Sequence, residues 1–198
     1  MSSILLIIIS AIVGIIFKMF SKKVTHHYVG DIMLGFAILM MGMQTMSGAV
    51  SPLKDSPAFV GALTMFSNPV LGMLAGVLIT AAIQSSSASI GILQALCLTG
   101  AINYSSVIPI IMGQNIGTCI TAILSSMGAK KNAKTAALMH LLFNVIGTVL
   151  FSVGAIVFFK YMNPEMGESI ISATEISLVH TIFNIATTAL LFPVSNMI

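Results

Sequence analysis

The chain has 198 residues, of which 57% are hydrophobic and only 7% charged, where a soluble domain carries about 25% charged residues. That composition excludes a soluble globular domain and makes the chain an integral membrane protein. The formal charge is +3 and all eight basic residues are lysine; no basic cluster exceeds a few residues, so the excess bears on membrane orientation and implies no nucleic-acid partner.

Long apolar runs without strand-like alternation predict an all-α polytopic membrane protein. Ile4–Phe20 reads as the first span. It is not a signal peptide, because the lysines follow the apolar run and no small-residue cleavage site is evident. Ser21–Val29 reads as a polar loop carrying Lys22, Lys23, His26 and His27, and residues 1–29 form an N-terminal span-and-loop segment ahead of a membrane repeat over 30–198. Gly30–Val50 is the second span; Gly30, Gly35, Gly42 and Gly48 suit close helix packing. Asp31 opens it, as an acid placed at a positive helix end rather than an ion ligand. Ser51–Ser56 is a turn, and Pro57–Phe66, too short to span, lies along the interface.

Pro69–Leu98 is the informative stretch. One continuous helix of that length would reach about 45 Å, too long for a hydrocarbon core of about 30 Å, and two full spans would each be too short. At its middle stand Gln84, Ser85, Ser86 and Ser87. Adjacent residues on a helix point about 100° apart, so four polar side chains in a row would put some against lipid. A break is cheaper, with freed backbone and hydroxyls lining a shielded polar cavity. The segment therefore predicts a re-entrant hairpin over 69–98: Pro69–Ile83 in, Gln84–Ser87 as the turn, Ala88–Leu98 out. Pro69 suits the first turn of a helix.

Thr99–Ser105 is a neutral loop. Ser106–Met127 is the next span, read as broken at Gly113–Thr118, where two glycines flank Gln114 and Asn115 at mid-depth. Lys130, Lys131 and Lys134 follow it. Ala136–Phe159 and Ile176–Phe192 are the last spans, joined by a loop over Lys160–Glu175 with three glutamates. Both lysine loops are placed on the cytoplasmic side by the positive-inside rule. The path between them crosses the membrane an even number of times only if 69–98 enters and leaves on one side.

A weak repeat relates Ala136–Phe151 to Ile176–Phe192. Each carries H-x-x-F-N, with His140/Asn144 and His180/Asn184 at i, i+4. These pairs are read as structural, hydrogen-bonding across helix contacts; a proton relay is the functional alternative. Cys97 and Cys119 lie in apolar runs and suggest no disulfide. The fifteen methionines are packing residues, since no MxxxM cluster stands with His or Cys. No nucleophile–base pair or metal cluster points to an enzyme.

The chemistry of the QSSS run is that of an ion site. It offers three hydroxyls and an amide, with helix carbonyl ends suited to Na⁺ and helix N-termini suited to oxyanions. Gln84, Ser86 and Ser87 are candidate Na⁺ ligands. Asn115 and Thr118 stand at the second predicted break. No carboxylate is at mid-depth to balance Na⁺, which favours co-binding of an anion.

Gln84-Ser85-Ser86-Ser87, then Gly113-Gln114-Asn115-Ile116-Gly117-Thr118, then His140-Leu141-Leu142-Phe143-Asn144 resemble, in that order, the type II sodium-dependent phosphate cotransporters and their bacterial relatives. The resemblance covers about 35–192. It implies a symporter of inorganic phosphate in the cytoplasmic membrane, with Gln84, Ser85, Ser86, Ser87, Asn115 and Thr118 at the substrate, Na⁺ as the coupling ion and no other cofactor. Gln114 stands where alanine is common in that family, and Cys119 where threonine is. The family carries QSSS in two inverted repeats and one is present here. The resemblance thus implies a second repeat supplied by a C-terminal half or by a second chain. A phosphate exporter or other small-anion transporter of the same architecture is the alternative, and a non-transporting membrane subunit is the alternative of another class.

Overall fold

The computed structural model describes residues 3–50, 52, 56, 65–66, 68–97, 100 and 102–193. The expected turn over 51–56 and interfacial segment over 57–66 fall almost wholly outside them. The chain forms two compact units, Met1–Ala49 and Val50–Ile198.

In the first unit α1 (Ser3–Phe20) and α2 (Val24–Val50) pack glycine to glycine. A Cβ on Gly14 would stand 3.0 Å from the Gly30 carbonyl oxygen, and one on Gly30 would stand 2.9 Å from that of Gly14. A Cβ on Gly35, Gly42 or Gly48, expected as packing glycines, would meet nothing within 4 Å among the described residues. The polar loop is also shorter than expected. Nothing between Ser21 and Val29 is a helix breaker, so α2 starts at Val24 and Asp31 lies two turns inside it. Asp31 is therefore no N-terminal acid. Lys18 Nζ donates to its two carboxylate oxygens at 2.7 and 2.8 Å. The short connection is held by Ser21 Oγ on His26 Nδ1 at 2.8 Å and by the Phe17 ring stacked on His26.

The second unit is built on a hairpin and three long helices. α3 (Pro69–Ile83) starts as its sequence predicts: Pro69 occupies the first turn and Asn68 Oδ1 accepts from Val70 N and Leu71 N. α4 (Ser86–Cys97) follows after two residues. α5 (Tyr104–Ser126) is capped by Asn103. α6 (Lys131–Val157) passes into a π-helical turn, Phe158–Met162. The short α7 (Pro164–Glu168) and then α8 (Ala173–Leu191) complete the unit. α8 opens with a reciprocal capping box between Ser172 and Glu175. The loop expected over Lys160–Glu175 is thus a folded corner. It also bonds to α5: Tyr104 N donates to the Ser169 carbonyl and Ser105 Oγ to that of Gly167.

The expected break at Gly113–Thr118 is not there. α5 is one unbroken helix across all six residues. Its two glycines form a G-x-x-x-G stripe, which brings helix backbones together. α3 presents the matching stripe Gly72, Gly76 and Thr80, all buried. A Cβ on Gly113 would strike the Met73 backbone, one on Gly76 the Ile110 carbonyl, and one on Gly117 would lie 2.7 Å from the Val77 carbonyl oxygen. Both numberings ascend together, so α3 and α5 run parallel.

α5 is the hub. Its Val107, Ile111 and Met112 are fully buried, together with Ile171, Ile176 and Phe183 from the corner and α8. Thr148 Oγ1 on α6 donates to the Met112 carbonyl at 3.2 Å. α6 meets α8 through Gly147 against Thr187 and the Phe151–Phe183 ring pair. Gln94 ties α4 to α8 by donating to the Ala173 carbonyl and Ser177 Oγ.

Val24–Met46, Tyr104–Ser126, Lys131–Met162 and Ala173–Leu191 are long and apolar enough to cross a membrane, whereas Ile4–Phe20, Pro69–Ile83 and Ser86–Cys97 are shorter. The chain is an all-α, multi-pass membrane protein. Ile4–Phe20, expected as a full span, reaches only about 25 Å.

Candidate functional site at the hairpin tip

α3 and α4 fold back on each other. Thr80 Oγ1 donates to Ser89 Oγ at 2.8 Å; in one straight helix those residues would lie about 13 Å apart along the axis. Ala75 of α3 and Leu96 of α4 line one cavity with Ile110. Pro69 and Asn103 line another. The chain therefore enters and leaves at the end where α5 begins, which is the same-sided hairpin the sequence predicts.

The reversal is tighter than the predicted Gln84–Ser87 turn. Gln84 and Ser85 alone make it, and Ser86 and Ser87 already belong to α4. Gln84 adopts φ 57°, ψ 26°, and is the single non-glycine residue with positive φ among the described residues. A left-handed residue with a side chain costs about 1 kcal/mol or more. Its N–H donates to the Thr80 carbonyl at 2.7 Å, closing α3. Ser85 caps α4: its Oγ accepts from Ala88 N at 3.3 Å and its carbonyl from Ser89 N at 3.0 Å. The tip thus joins the carbonyl end of α3 to the amide end of α4, with partial charges of opposite sign. At the register of the glycine stripes Gln84 falls level with residues near Ala122, about 6 Å short of the end of α5.

Gln84, Ser85 and Ser87 are exposed and Ser86 is half-buried. The described residues of this chain do not enclose the tip, so the shielded cavity predicted around it is not formed by them. What they bury is the layer beneath. Thr80, Ser89 and Gln114 are at most 2% exposed. Gln114 Nε2 donates to the Ser89 carbonyl at 3.1 Å and to Ser89 Oγ at 2.8 Å, while its Oε1 is buried without a partner among the described residues. Sequence reasoning missed Thr80 and Ser89. The signal was their symmetric placement about Gln84–Ser85, one turn into each arm.

Asn115 and Thr118 do not join the tip. Asn115 Nδ2 donates to the Ile111 carbonyl and Thr118 Oγ1 to the Gln114 carbonyl, both on their own helix. The His/Asn pairs behave likewise. Asn144 Nδ2 donates to the His140 carbonyl at 2.9 Å and Asn184 Nδ2 to that of His180 at 2.8 Å. An i−4 carbonyl is always within reach of a short side chain; Asn144 nonetheless also reaches the Cys119 thiol on α5, a cross-helix contact of the kind expected, whereas Asn184 bonds within its own helix. Cys119 Sγ also lies 3.6 Å from the His140 carbonyl.

Parallel glycine-packed helices, one of them half of a helical hairpin that reverses at a polar, charge-free tip, define an all-α membrane protein. The Na+/Pi-cotransporter family model matches residues 58–174, more than half of the chain, and the chain belongs to that family. It is 34% identical to the protein YqeW of Bacillus subtilis (strain 168) over 128 residues, 63% of this chain and 40% of that protein. It is 39% identical to sodium-dependent phosphate transport protein 2A of Rattus norvegicus over 92 residues, 43% of this chain and 14% of that one. A third relative, "Putative inorganic phosphate export protein YjbB" of Escherichia coli (strain K12), is 21% identical over 183 residues, 91% of this chain and 33% of that protein. The chain thus spans less than half the length of each. No solved structure matches.

Proposed function

We propose that the chain supplies one hairpin half of a transporter that carries inorganic phosphate through the cytoplasmic membrane together with Na⁺. The observation that carries this reading is the tip itself: a QSSS run at the meeting of two helix ends, held in a strained left-handed turn, in a chain of the Na+/Pi-cotransporter family. Strain at such a point persists where surrounding structure holds it and is a mark of functional sites. In this reading the Ser86 and Ser87 hydroxyls and the N–H groups opening α4 receive phosphate oxygens. The last carbonyls of α3, the Gln84 amide and serine oxygens take Na⁺. Asn115 and Thr118 join only by giving up the bonds to their own helix.

The exposure of Gln84, Ser85 and Ser87 fits a site closed by a second QSSS hairpin, from further sequence or from a second chain. Fully wetted ions gain little from such groups, and enclosure is what strengthens the contacts. Export rather than import is the second reading, favoured by the similarity to the YjbB protein across 91% of this chain. Reconstitution into vesicles tests both. Radiolabelled phosphate should accumulate with an inward Na⁺ gradient and not with choline, and Ser86→Ala and Gln84→Ala should each lower the flux about tenfold, the loss of one charge-assisted hydrogen bond. A gradient-independent efflux that these substitutions abolish selects the exporter. Flux untouched by either substitution removes the site, and no flux in any arrangement leaves a non-transporting membrane subunit.

A further inference from the structure

At the end of the second unit opposite Lys130, Lys131 and Lys134, a cavity of about 430 Å³ opens between α5, α6 and α7. Its size is that of a small-molecule site. Lys160 and Glu168 stand on its rim, and the buried hydroxyl of Ser152, which has no partner among the described residues, lines it. Lys160 is exposed and makes no ion pair among the described residues; its ammonium lies 5.5 Å from the Tyr161 ring. Glu168 accepts from Asn103 Nδ2 at 3.3 Å through Oε2, and its other carboxylate oxygen has no hydrogen bond among the described residues. One side chain of each sign thus faces the same opening, at the level where two membrane helices end.

Ser152 lies two helical turns below Lys160 on α6. Ile108, Ala155 and Phe159 form a shared wall with a second cavity of about 630 Å³, lined by side chains such as Leu150, Val179 and Ile182 that are almost all apolar. The order from the rim inward is therefore one cation and one anion, then a hydroxyl, then an apolar groove. A free anion would use only the first of these.

We infer that this paired cavity is a binding site for a zwitterionic aminophospholipid, with the lipid phosphate on Lys160, its ammonium on Glu168, an ester carbonyl on Ser152 and an acyl chain along the Ile108–Phe159 wall. The charge pair selects phosphatidylethanolamine over a singly anionic lipid, for which Glu168 is repulsive. Lys160 lies within the π-helical turn Phe158–Met162, and such turns occur frequently at functional sites. This inference does not depend on the transport reading.

The full chain, purified in mild detergent, is titrated with phosphatidylethanolamine, phosphatidylglycerol or no lipid, with bound lipid counted by native mass spectrometry and unfolding followed by heat. Phosphatidylethanolamine should be held about tenfold more tightly than phosphatidylglycerol and should raise the melting temperature. Lys160→Gln and Glu168→Gln, both at exposed positions, should each erase that preference and leave the lipid-free melting temperature unchanged. Ile182→Trp should weaken both lipids by filling the groove. Equal retention of the two lipids by the unsubstituted chain overturns the inference. So does wild-type affinity in Lys160→Gln, or displacement of the lipid by millimolar inorganic phosphate, which would make the pocket a free-anion site.

Discussion

Gly113→Ala adds one methyl group where the structure has no room for it. The nearest atoms to that methyl are backbone atoms of Met73, with its carbonyl carbon at 2.7 Å and its Cα at 3.0 Å. Carbon atoms prefer about 3.5–4.0 Å, so α3 and α5 must part by roughly 1 Å, and a gap of that size forfeits a quarter to a half of each contact's attraction. Backbone cannot rotate aside as a side chain can, so the whole glycine stripe opens, including Gly76 on Ile110 and Gly117 on Val77. Overpacking of this kind costs about 1–3 kcal/mol, against which alanine regains up to about 1 kcal/mol of helix propensity. The expected net loss is about 1–2 kcal/mol, read as a lower melting temperature of the detergent-solubilised protein. Gly35→Ala is the control: the added Cβ would meet nothing within 4 Å among the described residues, so only the propensity gain remains and stability should hold or rise. A Gly113→Ala protein as stable as its Gly35→Ala counterpart would refute the parallel packing of the hairpin on α5.

Gln84→Gly should keep or improve stability by relieving about 1 kcal/mol of left-handed strain, while phosphate flux falls with the lost amide; Gln84→Val, at the same φ, should destabilise, and melting curves with flux assays separate the two. Gln114→Ala removes its two hydrogen bonds to Ser89, leaving the one from Thr80, and should cost about 1–3 kcal/mol, seen as faster amide exchange confined to Ser86–Cys97. Asp31→Asn breaks an ion pair whose side chains are 46% and 52% exposed, so it should change stability by less than about 1 kcal/mol in a thermal scan.

How much of this was legible depends on how local the cause was. The hairpin follows from arithmetic on one stretch: too long for one span, too short for two, and polar at its middle. Pro69 marked its start for a reason contained in one residue. The break at Gly113–Thr118 was misread because glycine has two uses in a membrane helix, and which applies is decided by what lies opposite. The partner stripe Gly72–Gly76–Thr80 is some forty residues away and is recognisable only once the hairpin sets it parallel. The reverse error occurred at Gly35, Gly42 and Gly48, where small residues face open space. Asp31 was misplaced because tyrosine and histidine at an interface extend a helix instead of stopping it. The QSSS motif was visible, but its strained residue, Gln84, was not, since left-handed backbone at a non-glycine position has no signature in composition.

The central claim is that the chain turns back inside the membrane and presents QSSS to ions near the lysine-bearing end of α5. Labelling of Ser87→Cys by a membrane-impermeant maleimide tests it most directly, and the native Cys97 and Cys119 are both buried. The account predicts labelling from the side that carries Lys131, slowed when Na⁺ and phosphate are present together. Labelling from the Pro69 side, or a rate indifferent to both ions, would contradict it.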